Sequence, residues 1–234
     1  MIAVLRRELG AYFSSPIGYI YLAVFYFFAG YYFTFGPLRM DSANIAPVFG
    51  SMFVLALFLI PVLTMRLLSE DRKLKTDQVL LTSPATLTGI VLGKFGAAVC
   101  VYLLGMASLL LQAFIVSLFA PPGWALVLGN FIALLLLGMA LISIGMFISS
   151  LTENQVIAAV GGFAAGFVLL LLDALAGSAT NVTLQKIIMW ISFSKRYTGF
   201  SSGVFSIADV FFFLSVAALF VFFTVRVLEK RRWA

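Results

Sequence analysis

The chain has 234 residues, of which 63% are hydrophobic and only 10% are charged. A mean hydropathy of +1.13 excludes a soluble domain of this size, because the surface of such a domain must face water. The net charge of +6 does not indicate nucleic-acid binding, because the basic residues flank the apolar segments. The absence of histidine excludes imidazole catalysis and the usual zinc and haem ligands.

The first predicted element is a short amphipathic helix over residues 1–14. Arg6, Arg7 and Glu8 stand there among apolar residues that would share one broad helical face. This pattern favours a helix lying in the headgroup region of a bilayer. A simple polar lead-in to the first apolar segment is the alternative.

Six apolar segments then follow that have about the length needed to cross a bilayer as helices. They cover residues 17–36, 47–65, 86–119, 124–149, 156–172 and 207–227. Ser15-Pro16 and Ser83-Pro84 each place a capping hydroxyl before a proline, a common start of a helix. The sequence therefore predicts an all-α, polytopic membrane protein with a single domain.

The distribution of basic residues predicts the orientation. If the N-terminus is cytoplasmic, eleven of the fifteen Lys and Arg residues lie on the cytoplasmic side. Basic residues are enriched in cytoplasmic loops, so both termini are predicted to be cytoplasmic.

A charged stretch at residues 66–82 separates the second and third segments and is longer than a simple connection requires. Leu67, Leu74 and Leu81 recur every seven residues, which predicts a helix with a narrow apolar stripe. Two hypotheses stay open from the pattern alone. The stretch is either a solvated loop that sets topology or a docking helix for a cytoplasmic partner with matching charges.

The remaining connections differ in kind. Ser150 and Glu153 have the spacing of a capping box for the fifth segment. Residues 173–206 form a larger extracytoplasmic connection, in which the apolar spacing around Trp190 predicts an amphipathic or re-entrant piece at the outer leaflet; a plain external loop is the alternative.

Small residues at intervals of four mark one face of the fifth segment. Ala158, Gly162 and Gly166 would allow a second helix backbone to approach closely. Packing within one subunit is the favoured interpretation, and a dimer interface is the alternative.

The sequence offers no enzyme site. The nearest approach to a phosphate-binding loop, TGIVLGKF, has the wrong spacing and has Phe95 where a Ser or Thr would hold magnesium. We interpret its Lys94 as an interfacial lysine whose ammonium reaches the headgroups. No catalytic, cofactor-binding or metal-binding residue is predicted, and the nearly uncharged spans disfavour an ion pathway.

Three stretches, in order, resemble the permease subunits of type-2 ABC exporters, and most of all the permeases associated with gliding motility. They are RRELGAYFSSPIGYIYLAVFYFFAG, MRLLSEDRKLKTDQVLLTSPATLTGIVLGKF and GMFISSLTENQVIAA. The resemblance covers almost the whole chain. It departs at Lys75-Thr76-Asp77, where many relatives have Gly-Thr-Glu, and the long ectodomains of the larger members are missing.

The resemblance implies a six-span permease of the bacterial inner membrane. It would form a homodimer and carry one ATPase subunit beneath each copy; ATP and Mg would bind to that ATPase and not to this chain. Residues 1–14 would be an elbow helix, and residues 66–82 a coupling helix. The implied ATPase contacts are Glu70, Asp71, Arg72, Lys73, Lys75, Thr76 and Asp77, with a second contact at Glu153 and Asn154.

Further expected partners are the lipid bilayer and an accessory membrane or periplasmic protein, but not nucleic acid. Two other functions stay open. One is a membrane scaffold that recruits a cytoplasmic partner without transport, and the other is a secondary carrier that works without ATP.

Overall fold

The computed structural model describes residues 1–76, 86–178, 182–201, 203 and 206–232. Over these residues the chain is built from helices and contains no strand. The predicted all-α class is therefore confirmed.

Ten α-helices account for most of the described chain. They are α1 Ile2–Ser14, α2 Pro16–Phe33, α3 Ala46–Thr64, α4 Ser69–Lys73, α5 Leu87–Ser117, α6 Trp124–Leu151, α7 Gln155–Ser178, α8 Val182–Ile191, α9 Phe193–Ser201 and α10 Ile207–Arg232. A π-helical turn, Thr34–Leu38, extends α2 and contains Pro37, which supplies no backbone N–H to the ladder.

Six helical segments in the described part of the chain are long and apolar enough to cross a membrane. They contain α2, α3, α5, α6, α7 and α10, so the chain is a multi-pass membrane protein. The predicted spans agree with these helices to within a few residues at most ends. The exceptions are α7, which continues to Ser178, and α10, which continues to Arg232.

Helix α6 lies at the centre of the bundle. It packs against α3, α5, α7, α9 and α10. Within their apolar windows, 61% of the residues of α3 and of α6 are buried, against 17% for α10. The interior of the bundle is therefore formed by α3 and α6, and α10 presents most of its surface outward.

Helices α3 and α7 approach closely along the small-residue face of α7. A Cβ added to Gly162 would lie 2.8 Å from the Cβ of Pro61, and one added to Gly166 would lie 2.8 Å from the carbonyl oxygen of Leu57. Ala158 is buried on the same face. The predicted small-residue face thus contacts α3 of the same chain.

An even number of spanning helices brings the two termini to the same end of the bundle. We call this end the polar end; it comprises residues 1–15, 65–76, 86–94, 150–155 and 226–232. The opposite, distal end carries α8 and α9. There Arg196 of α9 forms a 2.7 Å ion pair with Asp209 of α10.

Two capping predictions are wrong. Ser15 precedes α2, but its hydroxyl does not cap the helix and donates instead to the Tyr12 carbonyl. Ser150 lies within α6, and its hydroxyl donates to the Phe147 carbonyl. The side chain of Asn154 begins α7 instead, since its Oδ1 accepts from the N–H of Val156 at 2.9 Å.

The contact between α3 and α7 yields a stability prediction. Gly166→Ala should lower the unfolding temperature in detergent, because the new methyl group meets a backbone carbonyl that cannot rotate away; overpacking of this kind costs about 1–3 kcal/mol. Gly30→Ala is the matched control, since nothing lies within 4 Å of a Cβ at that position in α2. The control should melt at or above the wild-type temperature. Equal melting of the two variants would contradict the close approach.

Candidate functional site

The described part of the charged stretch contains a short helix. Helix α4, Ser69–Lys73, has its acidic residues in the first turn and its basic residues in the last, which complements the helix dipole. The helical turn ends at Lys75, whose φ of +56° is left-handed. Helix α4 thus covers Ser69–Lys73 of the predicted helix over 66–82. Residues 77–82, with Asp77, lie outside the described residues.

The predicted leucine stripe stays a prediction, and its two described leucines differ in burial. Leu67 is buried beneath the stretch, whereas Leu74 is 63% exposed. Leu81 lies outside the described residues.

A buried lysine connects three elements at the polar end. Lys94 of α5 is 1% exposed, and its Nζ lies 3.0 Å from Oε1 of Glu8 in α1 and 2.6 Å from Oδ2 of Asp71 in α4. Arg7 adds contacts to the same carboxylates, at 2.7 Å to Glu8 and 3.4 Å to Asp71. We call these four residues the Lys94 network.

The position of Lys94 corrects its predicted role. Its ammonium does not extend to the headgroups but is enclosed by two carboxylates. Lys94 is the only charged residue of α5, and a single charge in an apolar helix needs a partner. That isolation is a signal in the sequence that could have indicated an ion pair.

Glycines on α5 bring α1 close enough to form this network. A Cβ on Gly93 would lie 2.9 Å from the Cβ of Val4 and 3.0 Å from the carbonyl oxygen of Met1. A Cβ on Gly96 would lie 3.1 Å from Cδ1 of Leu5. Side chains at these two positions would push α1 away and separate its carboxylate from Lys94.

A second buried cation, Arg66, links α1 to the end of α3. Its guanidinium pairs with Glu70 at 2.7 Å, donates to the hydroxyl of Ser15 and lies 5.4 Å from the ring centroid of Tyr12. The Tyr12 hydroxyl donates to the Leu63 carbonyl at 2.9 Å. Burial raises the pKa of Tyr12 far above its usual range, so the phenol stays a donor at all physiological pH values.

The pKa of Arg7 shifts through competing effects. Burial lowers this pKa, but the hydrogen bond to Glu8 and the charges of Glu8 and Asp71 outweigh burial, and the net shift is upward. Arg7 therefore stays charged and keeps its place in the network.

Serine and arginine side chains fasten α4 to the end of α6. Ser149 accepts from the backbone N–H groups of Leu68 and Ser69, each at 3.1 Å, and donates to the carbonyl of Met65 at 3.0 Å. Arg72 of α4 pairs with Glu153, in the turn after α6, at 2.8 Å. The described part of the charged stretch is thus bonded to α1, α5 and α6 by ion pairs and hydrogen bonds.

A surface cleft of about 310 Å³ lies between α4 and the turn that joins α6 to α7. Lys73 forms one wall, and Glu153, Asn154 and Val156 contribute to the rest. Val156 is 68% exposed, so the cleft combines an apolar surface with charges of both signs. An arrangement of this kind suits the docking of a protein segment better than the binding of a small molecule.

The predicted site residues divide between the interior and the surface. Glu8, Glu70 and Asp71 direct their carboxylates into ion pairs within the chain. The outward-facing residues are Arg6, Lys73, Lys75, Thr76, Glu153 and Asn154. Sequence reasoning did not identify Lys94 or Ser149 as parts of this site, and it placed Arg66 in the charged stretch without predicting its contacts.

Within the described residues, no group of three acidic, cysteine or histidine side chains could hold a metal ion. No protein-family model and no curated protein matches this chain.

The Lys94 network yields a second prediction. Lys94→Met leaves two enclosed carboxylates without their shared cation, and Arg7, which is half exposed, replaces it only in part. We expect a loss of about 3 kcal/mol, as for other broken buried ion pairs, measured by thermal unfolding in detergent.

The matched variant combines Lys94→Met with Glu8→Gln and Asp71→Asn. Removing all three charges should restore most of the stability, because no unpaired charge is left inside. If the single and triple variants are destabilised equally, the network is not the source of the effect.

Proposed function

We propose that this chain is the membrane-spanning permease subunit of an ATP-driven ABC exporter of the bacterial inner membrane. ATP and Mg would bind to a separate ATPase subunit on the cytoplasmic side, and two copies of the chain would form the transport path. The proposal starts from the resemblance of three ordered sequence stretches. It is supported by the arrangement of the polar end.

The observation that carries the proposal is the ion pair between Arg72 and Glu153. It joins the two regions that the resemblance implies as ATPase contacts into one surface around the cleft. One cytoplasmic subunit can therefore touch both regions at once. A solvated loop with only a topological role needs no such surface.

The contacts behind this surface suit the transmission of force. A push on α4 acts on α5 through Asp71 and Lys94, on α1 through the same carboxylate and Arg7, and on α6 through Ser149. Nearly rigid helices pass such displacements along their length. The polar end then serves as a coupling element between the ATPase and the spans.

The proposal assigns different roles to the charged residues. Lys73, Lys75 and Glu153 contact the ATPase, because their side chains face outward. Asp71 positions α4 from the inside and contacts the ATPase little, since its side chain is 14% exposed. α1 acts as the elbow helix, and α4 forms part of the coupling helix.

A charge reversal tests the docking surface. Lys73→Glu combined with Lys75→Glu should weaken the binding of the cognate ATPase roughly tenfold, because two attractive contacts become repulsive. The measurement is a binding titration of the purified ATPase on the chain in nanodiscs. Arg6→Glu, an exposed change at the same end but outside the cleft, is the control and should leave the affinity unchanged.

ATPase and transport measurements on the same complex distinguish the three candidate functions. A permease should show ATPase turnover that rises with a transported cargo in proteoliposomes and that falls in the Lys73/Lys75 variant. A scaffold would bind its partner without any cargo-dependent turnover. Transport that continues after every ATPase subunit is removed would favour a secondary carrier instead.

The orientation has its own test. In a Cys100→Ser background, a cysteine at Lys75 should react with a membrane-impermeant maleimide only from the cytoplasmic side, and one at Lys195 only from the opposite side. The physical reason is the excess of basic residues at the polar end. Labelling of position 75 from outside intact cells would overturn both the orientation and the exporter proposal.

A further inference from the structure

An apolar groove runs along the outer surface of the bundle between α5 and α10. Its volume is about 600 Å³. Leu92 and Phe95 of α5 form one wall, Leu214, Val221 and Phe222 of α10 form the other, and Met139 of α6 contributes to the lining. The groove faces the region that the bilayer occupies, so a molecule bound in it must have an apolar part and must be a component of the membrane.

One end of this groove is polar and positively charged. Thr88, Arg226 and Glu229 line it there, and Lys230 lies one turn beyond Arg226 on α10. Arg226 is held over the ring of Phe222, with its Cζ 4.9 Å from the centroid, and pairs with Glu229 at 2.6 Å. Two cations against one carboxylate leave a net positive charge at this end of the groove, which we call the cationic mouth.

The dimensions of the groove match one leaflet. Its apolar wall on α10 covers residues 214–225, which at about 1.5 Å per residue is about 16 Å long. The hydrocarbon core of a bilayer is about 30 Å thick, so one leaflet contributes about half of that. The cationic mouth then lies at the depth of the headgroups.

From this geometry we infer that the groove binds one anionic phospholipid of the leaflet at the polar end. One of its two acyl chains lies along α10 between Leu92 and Val221, and its phosphate accepts hydrogen bonds from the guanidinium of Arg226. The charge at the mouth selects an anionic over a zwitterionic headgroup. This site does not depend on an ATPase or on the exporter proposal.

The groove suits a lipid better than a second copy of this chain. Close contacts between membrane helices use small residues at the point of contact. Here Ala217 and Ala218 lie between the bulkier Leu214 and Phe222, which are 40% and 50% exposed. A flexible chain thinner than a helix fits between these side chains.

Native mass spectrometry of the full chain in detergent tests the site, with phosphatidylglycerol and phosphatidylcholine added at equal concentrations. The wild type should retain one phosphatidylglycerol, in roughly tenfold preference to phosphatidylcholine. Arg226→Gln should reduce this preference about fivefold or more, because the phosphate loses its charged hydrogen-bond donor. Arg6→Gln, the same charge change at the same end, should not.

A second variant tests the groove itself. Ala218→Phe fills the groove and should reduce the retention of both lipids, whereas Ala164→Phe, on an exposed position of α7, should leave it unchanged. Both variants should keep the wild-type elution volume and helix content.

Three results would overturn the inference. Equal effects of Arg226→Gln and Arg6→Gln would indicate diffuse attraction to the surface. Unchanged lipid retention in Ala218→Phe would show that the groove is empty of lipid. Efficient disulfide formation between copies carrying Ala218→Cys in a Cys100→Ser background would assign the groove to a contact between chains.

Discussion

The organisation of the polar end depends on the enclosure of a single cation, Lys94. An ammonium removed from water is tolerated only beside opposite charge, and the two carboxylates that supply it come from α1 and α4. If either carboxylate moved away, Lys94 would lose part of the opposite charge that offsets its burial. The amphipathic N-terminal helix, the charged stretch and the third span are therefore constrained to keep one relative arrangement.

Close backbone packing makes that enclosure possible. Apolar side chains gain little from meeting each other in lipid, so membrane helices associate through tight contact and hydrogen bonds. Gly93 admits α1, Gly166 admits α3, and Gly138 of α6 faces the ring of Tyr102, whose hydroxyl donates to Leu134 at 2.8 Å. Glycine thus has the same role at the polar end and in the interior: it lets a second element approach the helix closely.

The sequence was sufficient for properties that depend on segment length and composition, and insufficient for those that depend on distant partners. The six spans followed from the apolar runs. The partner of Lys94 was not predictable, because Glu8 is 86 residues away. The Ser150–Glu153 capping box failed because α6 continues through Ser150 to Leu151, so Ser150 does not precede a helix. Local spacing could not show where α6 ends or that Glu153 pairs with Arg72 across the fold. The ATPase contacts stay a prediction.

The two ends of the bundle differ in how far their charges connect the chain. At the distal end, Arg196 of α9 pairs with Asp209 of α10 over a short sequence distance and donates to the Trp190 carbonyl of α8. At the polar end, carboxylates and cations join α1, α4, α5 and the turn after α6, and Arg231 of α10 donates to the carbonyl of Ser150. The ion pairs and hydrogen bonds of the polar end therefore reach four spans, α3, α5, α6 and α10, whereas the ion pair at the distal end reaches one span, α10. If the bundle is driven mechanically, the polar end is where the driving subunit must act.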